Sequence, residues 1–258
     1  MICISVENDY ENWRIAARKC LLRAIKPDKI LCAENDQNTL FTEDLAENAH
    51  NHDKIIKVSA DFVELAEAVA CFDAAEKWSL LYRILFRLTY ENRNLLHIES
   101  DEDVRRARLM EKAVSRDVHK FHAFVRFRRI EVGVKEIFIA WHIPAHFTVE
   151  RATPFFVRRF GAMRFSILSP KGCAHWDLKK LTFTEGVSSD SAPQTDDAED
   201  YWLTYYSSIF NPFRLKVKAM KAEMPIRHWK TLPEARLIPE MIGKAKRLQE
   251  KIKAKKSF

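Results

Sequence analysis

The chain has 258 residues, 47% of them hydrophobic, and a formal net charge of +7, enough to bury a sizeable core as one large domain or two small ones. It has no run of 18 apolar residues, which excludes a transmembrane helix, and MICISVENDY lacks the basic start and apolar stretch of a signal peptide. Five cysteines with no CxxC pair fit reduced thiols of a cytoplasmic protein, and five glycines with no GxGxxG or GxxxxGK argue against a dinucleotide fold or a P-loop.

Residues 2–6 read as a strand. Asp9 is a helix cap, followed by apolar positions at Trp13, Ala16, Ala17, Cys20, Leu21 and Ala24 at helical spacing. Pro27 and Asp28 break that helix, and residues 29–33 read as a second strand, so a small βαβ unit is expected. Residues 34–53 are polar and read as loop, and 54–58 as a returning strand. Residues 1–58 thus form a small α/β N-terminal lobe, ahead of an α+β main domain over residues 59–258.

Residues 59–94 carry two helices. Ser59 opens the first, with Phe62, Leu65, Val69 and Phe72 inward; the second is apolar nearly all round from Trp78 to Leu88 apart from Arg83 and Arg87, the mark of a buried central helix. Ser100 with Asp103 resembles a capping box before a long helix to about His122. His119 and His122 share a face three residues apart. With no matching carboxylate nearby, they read as surface or phosphate contacts, and no metal site is expected.

Residues 123–132 and 134–141 are expected to form a hairpin around Gly133, with Arg126 and Arg128 on one face of its first strand. Such a face can lie along a phosphate backbone. Thr153 reads as an N-cap and Pro154 as the first residue of a short helix to Phe160, which Gly161 ends in a left-handed cap. Met163, Phe165 and Ile167 alternate with Arg164 and Ser166 as in a half-buried strand. After a turn at 170–172, His175, Trp176 and Asp177 return beside it. His175 and Asp177 are the candidate proton-transfer groups.

Residues 186–200, GVSSDSAPQTDDAED, read as a mobile acidic loop. A helix from about 197 carries Trp202, Tyr205, Tyr206 and Ile209, and a short basic helix carries Lys216, Lys218 and Lys221. Thr231 with Glu234 repeats the capping-box pattern before a last helix with Leu237, Met241, Ala245, Leu248 and Ile252 inward. The fold class is therefore α+β: small antiparallel or mixed sheet elements in a predominantly helical surround.

Charge is uneven along this order. Residues 1–118 carry 17 Lys and Arg against 22 Asp and Glu, residues 119–180 carry 12 against 4, and residues 181–258 carry 14 against 10. The basic middle block also holds five of the nine histidines and 11 of the 29 aromatics, a composition that suits an anionic partner. Its candidate nucleic-acid contacts are Arg126, Arg128, Arg158, Arg159, Arg164, Lys171, His119 and His122, with helix N-terminal amides near Thr153 as a further phosphate site.

The blocks MEKAVSRDVHKFHAFVRF, ATPFFVRRFGAMRFSILSPKGCAHWD and YWLTYYSSIFNPFRLKVKAMKAEMPIRHWKTLPEARLIP resemble a bacterial family of probable DNA-metabolism or DNA-repair proteins of unknown activity. The resemblance implies a DNA-repair setting, with a radical-SAM protein encoded alongside and a uracil-DNA-glycosylase-like protein fused to related domains; both are implied partners. The chain departs from the family pattern at Phe165, where the family carries Trp, and near Ile143 and Ala145, where it carries acids. Three functions follow: a DNA-binding accessory protein, an enzyme of hydrolase or glycosylase type acting on damaged DNA, and an interaction partner of a radical-SAM enzyme. The first is favoured by the basic, aromatic block, with no cofactor and no membrane partner expected.

Overall fold

The computed structural model describes residues 2–5, 9–33, 56–132, 135–188, 217–245 and 247. Contacts divide the chain into two compact units, Met1–Asp117 and Val118–Phe258. The architecture is α+β, as the periodicities predict.

In the first unit, β1 (Ile2–Ser5), α1 (Tyr10–Leu22) and β2 (Ile30–Ala33) form a βαβ unit whose strands pair in parallel, Ile2 opposite Ile30. Asp9 caps α1 by accepting the Glu11 amide at 2.8 Å. Ser59 caps α2 (Ala60–Ala70) by accepting the Phe62 amide at 3.3 Å. The next helix, α3 (Glu76–Tyr90), buries Trp78, Leu80, Leu81, Tyr82, Ile84 and Leu85 and is the centre of this unit's core. The fully buried Lys77 donates to the Phe72 carbonyl at 2.7 Å, so its ammonium serves the end of α2. Residues 56–59 are not a strand. The apolar start of that segment packs against the core through Ile56, which needs no sheet partner.

The long helix α4 (Glu102–Phe124) is capped by Asp101, not by the expected Ser100 box: the Asp101 carboxylate accepts the Val104 amide at 3.1 Å and pairs with Arg87 at 2.6 Å. Asp103 pairs with Arg83 at 2.8 Å. These contacts explain the two arginines on an otherwise apolar α3, and they tie it to the start of α4.

In the second unit α4 continues to Phe124, so the strand expected from residue 123 begins later, as β3 (Arg128–Val132). The reason lies in Phe121 and Val125, which are four apart and both buried; this spacing fits a helix end as well as it fits a strand. The five-stranded sheet has the order β3, β4 (Lys135–Trp141), β5 (Phe165–Leu168), β6 (Cys173–Trp176), β7 (Leu181–Thr184). All neighbours are antiparallel except β4 and β5, which run parallel and are joined through α5 (Val149–Phe160). Strand alternation puts Ala140, Phe165, Ile167 and Ala174 on one face, packed with Phe121, Val149, Ala152 and Phe156 of the helices. Arg128, Ile139, Ser166 and His175 are in register on the other face.

The start of α5 corrects the sequence reading. The helix begins at Val149, so Thr153 is not its cap and Pro154 lies inside it. Thr153 is buried and its hydroxyl donates to the Val149 carbonyl at 2.6 Å. Pro154 removes one backbone bond, which burial of Val149, Ala152 and Phe156 offsets. No helix N-terminus exists at Thr153, and the phosphate site expected there falls away. Gly161 has a φ of −58° and is not a left-handed cap. Glycine is required there by closeness, since a Cβ would sit 2.8 Å from the Val157 carbonyl oxygen.

Beyond the sheet, α6 (Val217–Glu223) is the expected short basic helix. A 3-10 turn (Ile226–Thr231) is followed by a second one (Pro233–Leu237), which has Leu232, not residue 231, at its N-cap position; the side chains of the expected second capping box lie outside the described residues. Leu232, Ala235 and Ile238 pack with Phe124 and Met224, and a helix over 238–245 buries Met241 and Ala245. The expected helix with Trp202, Tyr205, Tyr206 and Ile209, most of the acidic loop, the Gly133 turn, and Leu248 and Ile252 lie outside the described residues.

Candidate nucleic-acid interface

The last turn of α4 and the exposed face of α5 bring together residues that the sequence separates by some thirty positions. The His122 Nε2 lies 3.1 Å from the Ala152 carbonyl, which only accepts, so Nε2 carries the proton and donates. The ring of His122 stacks on Phe155 at 4.3 Å and 23°, and meets Phe156 edge-on at 5.8 Å. Phe156 is core; Phe155 is 36% exposed. Burial pushes the His122 pKa down; the Ala152 carbonyl opposes this, while the nearby charges of His119 and Arg158 add to it. His122 is therefore a neutral, stacked imidazole at neutral pH.

Arg151, Phe155 and Arg158 recur at i, i+4 and i+7, so they share one face of α5. Arg151, Arg158 and Arg159 are exposed, and none of them forms an ion pair among the described residues. The Arg159 guanidinium lies 6.0 Å from the Phe160 ring. Arg151 was missed by sequence reasoning because the helix was started at Pro154, which also hid that Phe155, inside the expected helix, shares a face with Arg151; with Val149 as the first residue, helical spacing puts both on one face.

The other expected cations are dispersed. Arg126 precedes β3 and its guanidinium donates to the Ala123 and Val125 carbonyls at 2.7 and 3.2 Å, closing the end of α4. Lys171 donates to the Ala145 carbonyl and lies 5.2 Å from the Phe147 ring. Arg128 is on the sheet face away from α5. Arg164 is exposed just before β5, close enough to Asp177 for its charge to lower that carboxyl's pKa. The candidate residues on the α4–α5 surface are thus fewer than the sequence suggests: His119, His122, Arg158 and Arg159, with Arg151 and Phe155 added.

His175 and Asp177 do not act on each other. Asp177 is exposed and accepts the Lys179 and Lys180 amides at 2.8 and 2.7 Å, holding the turn from β6 to β7. Those backbone donors, Lys180 first, hold its carboxyl below the usual carboxylate range. The partners of His175 are hydroxyls: Ser166 Oγ at 2.9 Å from Nδ1, and Thr184 Oγ1 at 3.1 Å from Nε2. Burial pushes the His175 pKa down, which leaves a neutral imidazole between two hydroxyls, with no carboxylate among the described residues bonded to it. Catalysis by a triad needs that third group. A second histidine pair, His142 and His228, is buried and stacked at 5.3 Å and 6° between Phe121 and Phe124. Among the described residues no group of three His, Cys, Asp or Glu side chains is placed to hold a metal.

A family model, DUF4130, a domain of unknown function, matches residues 75–234. The chain belongs to this family. No curated protein and no solved structure matches it. The DUF4130 match contains the whole α4–α5 face, the sheet and the buried histidine pair. The βαβ unit at the N-terminus precedes it. No helix among the described residues is long and apolar enough to cross a membrane.

Proposed function

We propose that this DUF4130 protein is a nucleic-acid-binding accessory protein of DNA repair or DNA metabolism, and that it binds single-stranded DNA through the α4–α5 face. One observation carries the reading: an exposed aromatic, Phe155, backed by His122 and flanked on its own helix by Arg151 and Arg158. Cations that track phosphates beside an aromatic on which an unpaired base can stack are what single-strand binders use. A duplex offers the phosphates but not the base face. The family resemblance supplies the setting: a radical-SAM enzyme encoded nearby and a uracil-DNA-glycosylase-like domain in related proteins are the partners to which bound DNA would be presented.

Fluorescence anisotropy with single- and double-stranded DNA across a salt series tests this. Affinity falls with salt, because each neutralised phosphate releases counterion, and sequence preference is weak, because phosphate contacts read no bases. The Arg158→Glu, Arg159→Glu double variant binds more weakly while remaining folded. No binding at low salt, or unchanged affinity in the double variant, would instead favour an acidic protein surface on the radical-SAM partner as what this face binds.

A further inference from the structure

We infer that the outer edge of β7 pairs with the same edge of a second copy of this chain, joining two five-stranded sheets edge to edge. The pairing is separate from nucleic-acid binding, because β7 shares no residue with the α4–α5 face. Among the described residues β7 is the last strand of the sheet and is bonded on one side only, to β6. Thr182, Phe183, Thr184 and Glu185 are all exposed, Phe183 by 39%. The turn from β6 to β7 fixes where the free backbone groups point. The Asp177 amide donates to the Lys180 carbonyl at 3.3 Å, so the backbone of Lys180 faces β6. Those of Thr182 and Thr184 do the same in alternation, and the N–H and C=O groups of Leu181 and Phe183 point outward. Such an edge is a template for another strand.

Charge along the edge selects a second copy as the occupant. Lysines guard many sheet edges, and Lys179 and Lys180 stand just before β7, with Glu185 just after it. Lys179 and Glu185 are exposed, and neither has an ion-pair partner among the described residues. An antiparallel copy brings the lysine end of each strand to the glutamate end of the other, whereas a parallel strand would set like charge against like. The register follows as well. A two-fold axis normal to a continuous sheet keeps the helix-covered faces on the same side, so odd-numbered residues oppose odd and even oppose even. With Thr182 opposite its own copy, Leu181 falls opposite Phe183 and Lys179 alongside Glu185, each twice by symmetry. Leu181 and Phe183 are the residues whose backbones point outward, so each such pair exchanges both N–H···O bonds. Leu181 packs on the helix-covered face of the sheet. Phe183, two residues on, shares that face, so the pairing sets an apolar neighbour beside the exposed ring. Moving the axis to Phe183 would put Leu181 opposite Glu185 and leave Lys179 without an anion.

Cysteine crosslinking of the full chain tests both the partner and the register. Thr182→Cys puts a thiol opposite its own copy in a non-hydrogen-bonded pair, where Cα atoms are about 4.5 Å apart and a disulfide can close. Thr184→Cys, exposed on the same strand face, leaves the two thiols four strand residues apart, roughly 14 Å, which a disulfide cannot span. One strand pair buries less than a standard interface, so the dimer is weak, with a Kd on the order of 100 µM, and crosslinking is measured near that concentration. Under mild oxidation Thr182→Cys forms the linked dimer roughly tenfold faster than Thr184→Cys, and peptide mass spectrometry identifies the link between the introduced thiols. In the Thr182→Cys background, Phe183→Pro removes an outward N–H and no bond to β6, and the rate falls to that of Thr184→Cys. Lys179→Glu lowers the rate as well, and adding Glu185→Lys restores it, with circular dichroism as the folding control. If Thr182→Cys crosslinks no faster than Thr184→Cys, or if the charge reversal restores nothing, the edge does not pair in this way.

Discussion

Phe155 separates stacking from charge at the proposed interface. Its ring is 36% exposed and rests on His122 at 4.3 Å, so Phe155→Ala removes a platform that the core does not depend on. Base–aromatic stacking is worth about 1–3 kcal/mol per base. The variant therefore binds single-stranded DNA roughly 5- to 150-fold more weakly by the relation of free energy to affinity. No charge is lost, so the slope of log affinity against log salt stays the same. Arg158→Gln has the complementary signature. It removes one phosphate contact, which lowers the slope for single strands by about 0.7 and weakens binding about fivefold at 0.1 M salt. Duplex affinity falls in Arg158→Gln but barely in Phe155→Ala. Anisotropy titrations at four or more salt concentrations, with circular dichroism as the folding control, measure all of this. A changed slope in Phe155→Ala, or an equal loss on duplex and single strand, would refute the stacking role.

Other expectations concern pH and stability. The His122 pKa is depressed by burial, so the imidazole gains charge only below its ordinary range. Single-strand affinity rises as pH falls through that region, and His122→Gln flattens the profile. Asp101 both caps α4 and pairs with Arg87; Asp101→Ala costs about 2–3 kcal/mol in urea unfolding, from a lost cap and a charge-assisted bond. Asp101→Asn keeps the cap and loses about half of that. The Asp101 pKa is lowered chiefly by its hydrogen bond from Arg87. Its stabilising contribution is therefore complete above the unfolded carboxyl pKa and disappears as pH falls through the lower folded value. Gly172 has a φ of +116°, and Gly172→Ala costs roughly 1–3 kcal/mol of strain. Gly243 lies in the helix over 238–245, and a methyl group added there would meet nothing within 4 Å, so Gly243→Ala raises stability by up to about 1 kcal/mol; thermal unfolding of the pair reads both signs.

Much of the architecture follows from local rules. Asp9 and Ser59 open helices because their side-chain oxygens meet the free amides of a first turn, whatever lies beyond. The apolar density of α3 and the alternation of Phe165 and Ile167 are likewise local, and both are buried as their patterns require. Errors occurred where two local signals competed. Thr153 and Pro154 look like a helix start, but burial of Val149 and Ala152 extends α5 backwards through the proline. Ser100 looks like a cap, but Asp101 takes the role because Arg87, on another helix, rewards a carboxylate there.

The candidate site divides in the same way. Composition alone places a basic, aromatic block at residues 119–180 and names His119, His122, Arg158 and Arg159. Which of its cations remain exposed depends on carbonyls far along the chain: Ala145 takes Lys171. Arg128 is carried to the other side of the sheet by strand register. His175 and Asp177, two apart in sequence, have separate partners because Ser166 and Thr184 on neighbouring strands occupy both ring nitrogens of His175. The stack of His122 on Phe155 joins residues 33 positions apart. Periodicity describes one element at a time, so the sequence by itself determined most of the helices and strands and where positive charge concentrates, but not that residues 56–59 stay outside a sheet or that α4 runs on to Phe124. Only the tertiary structure, by packing α5 against the end of α4, decided which of those charges share a surface with an exposed ring.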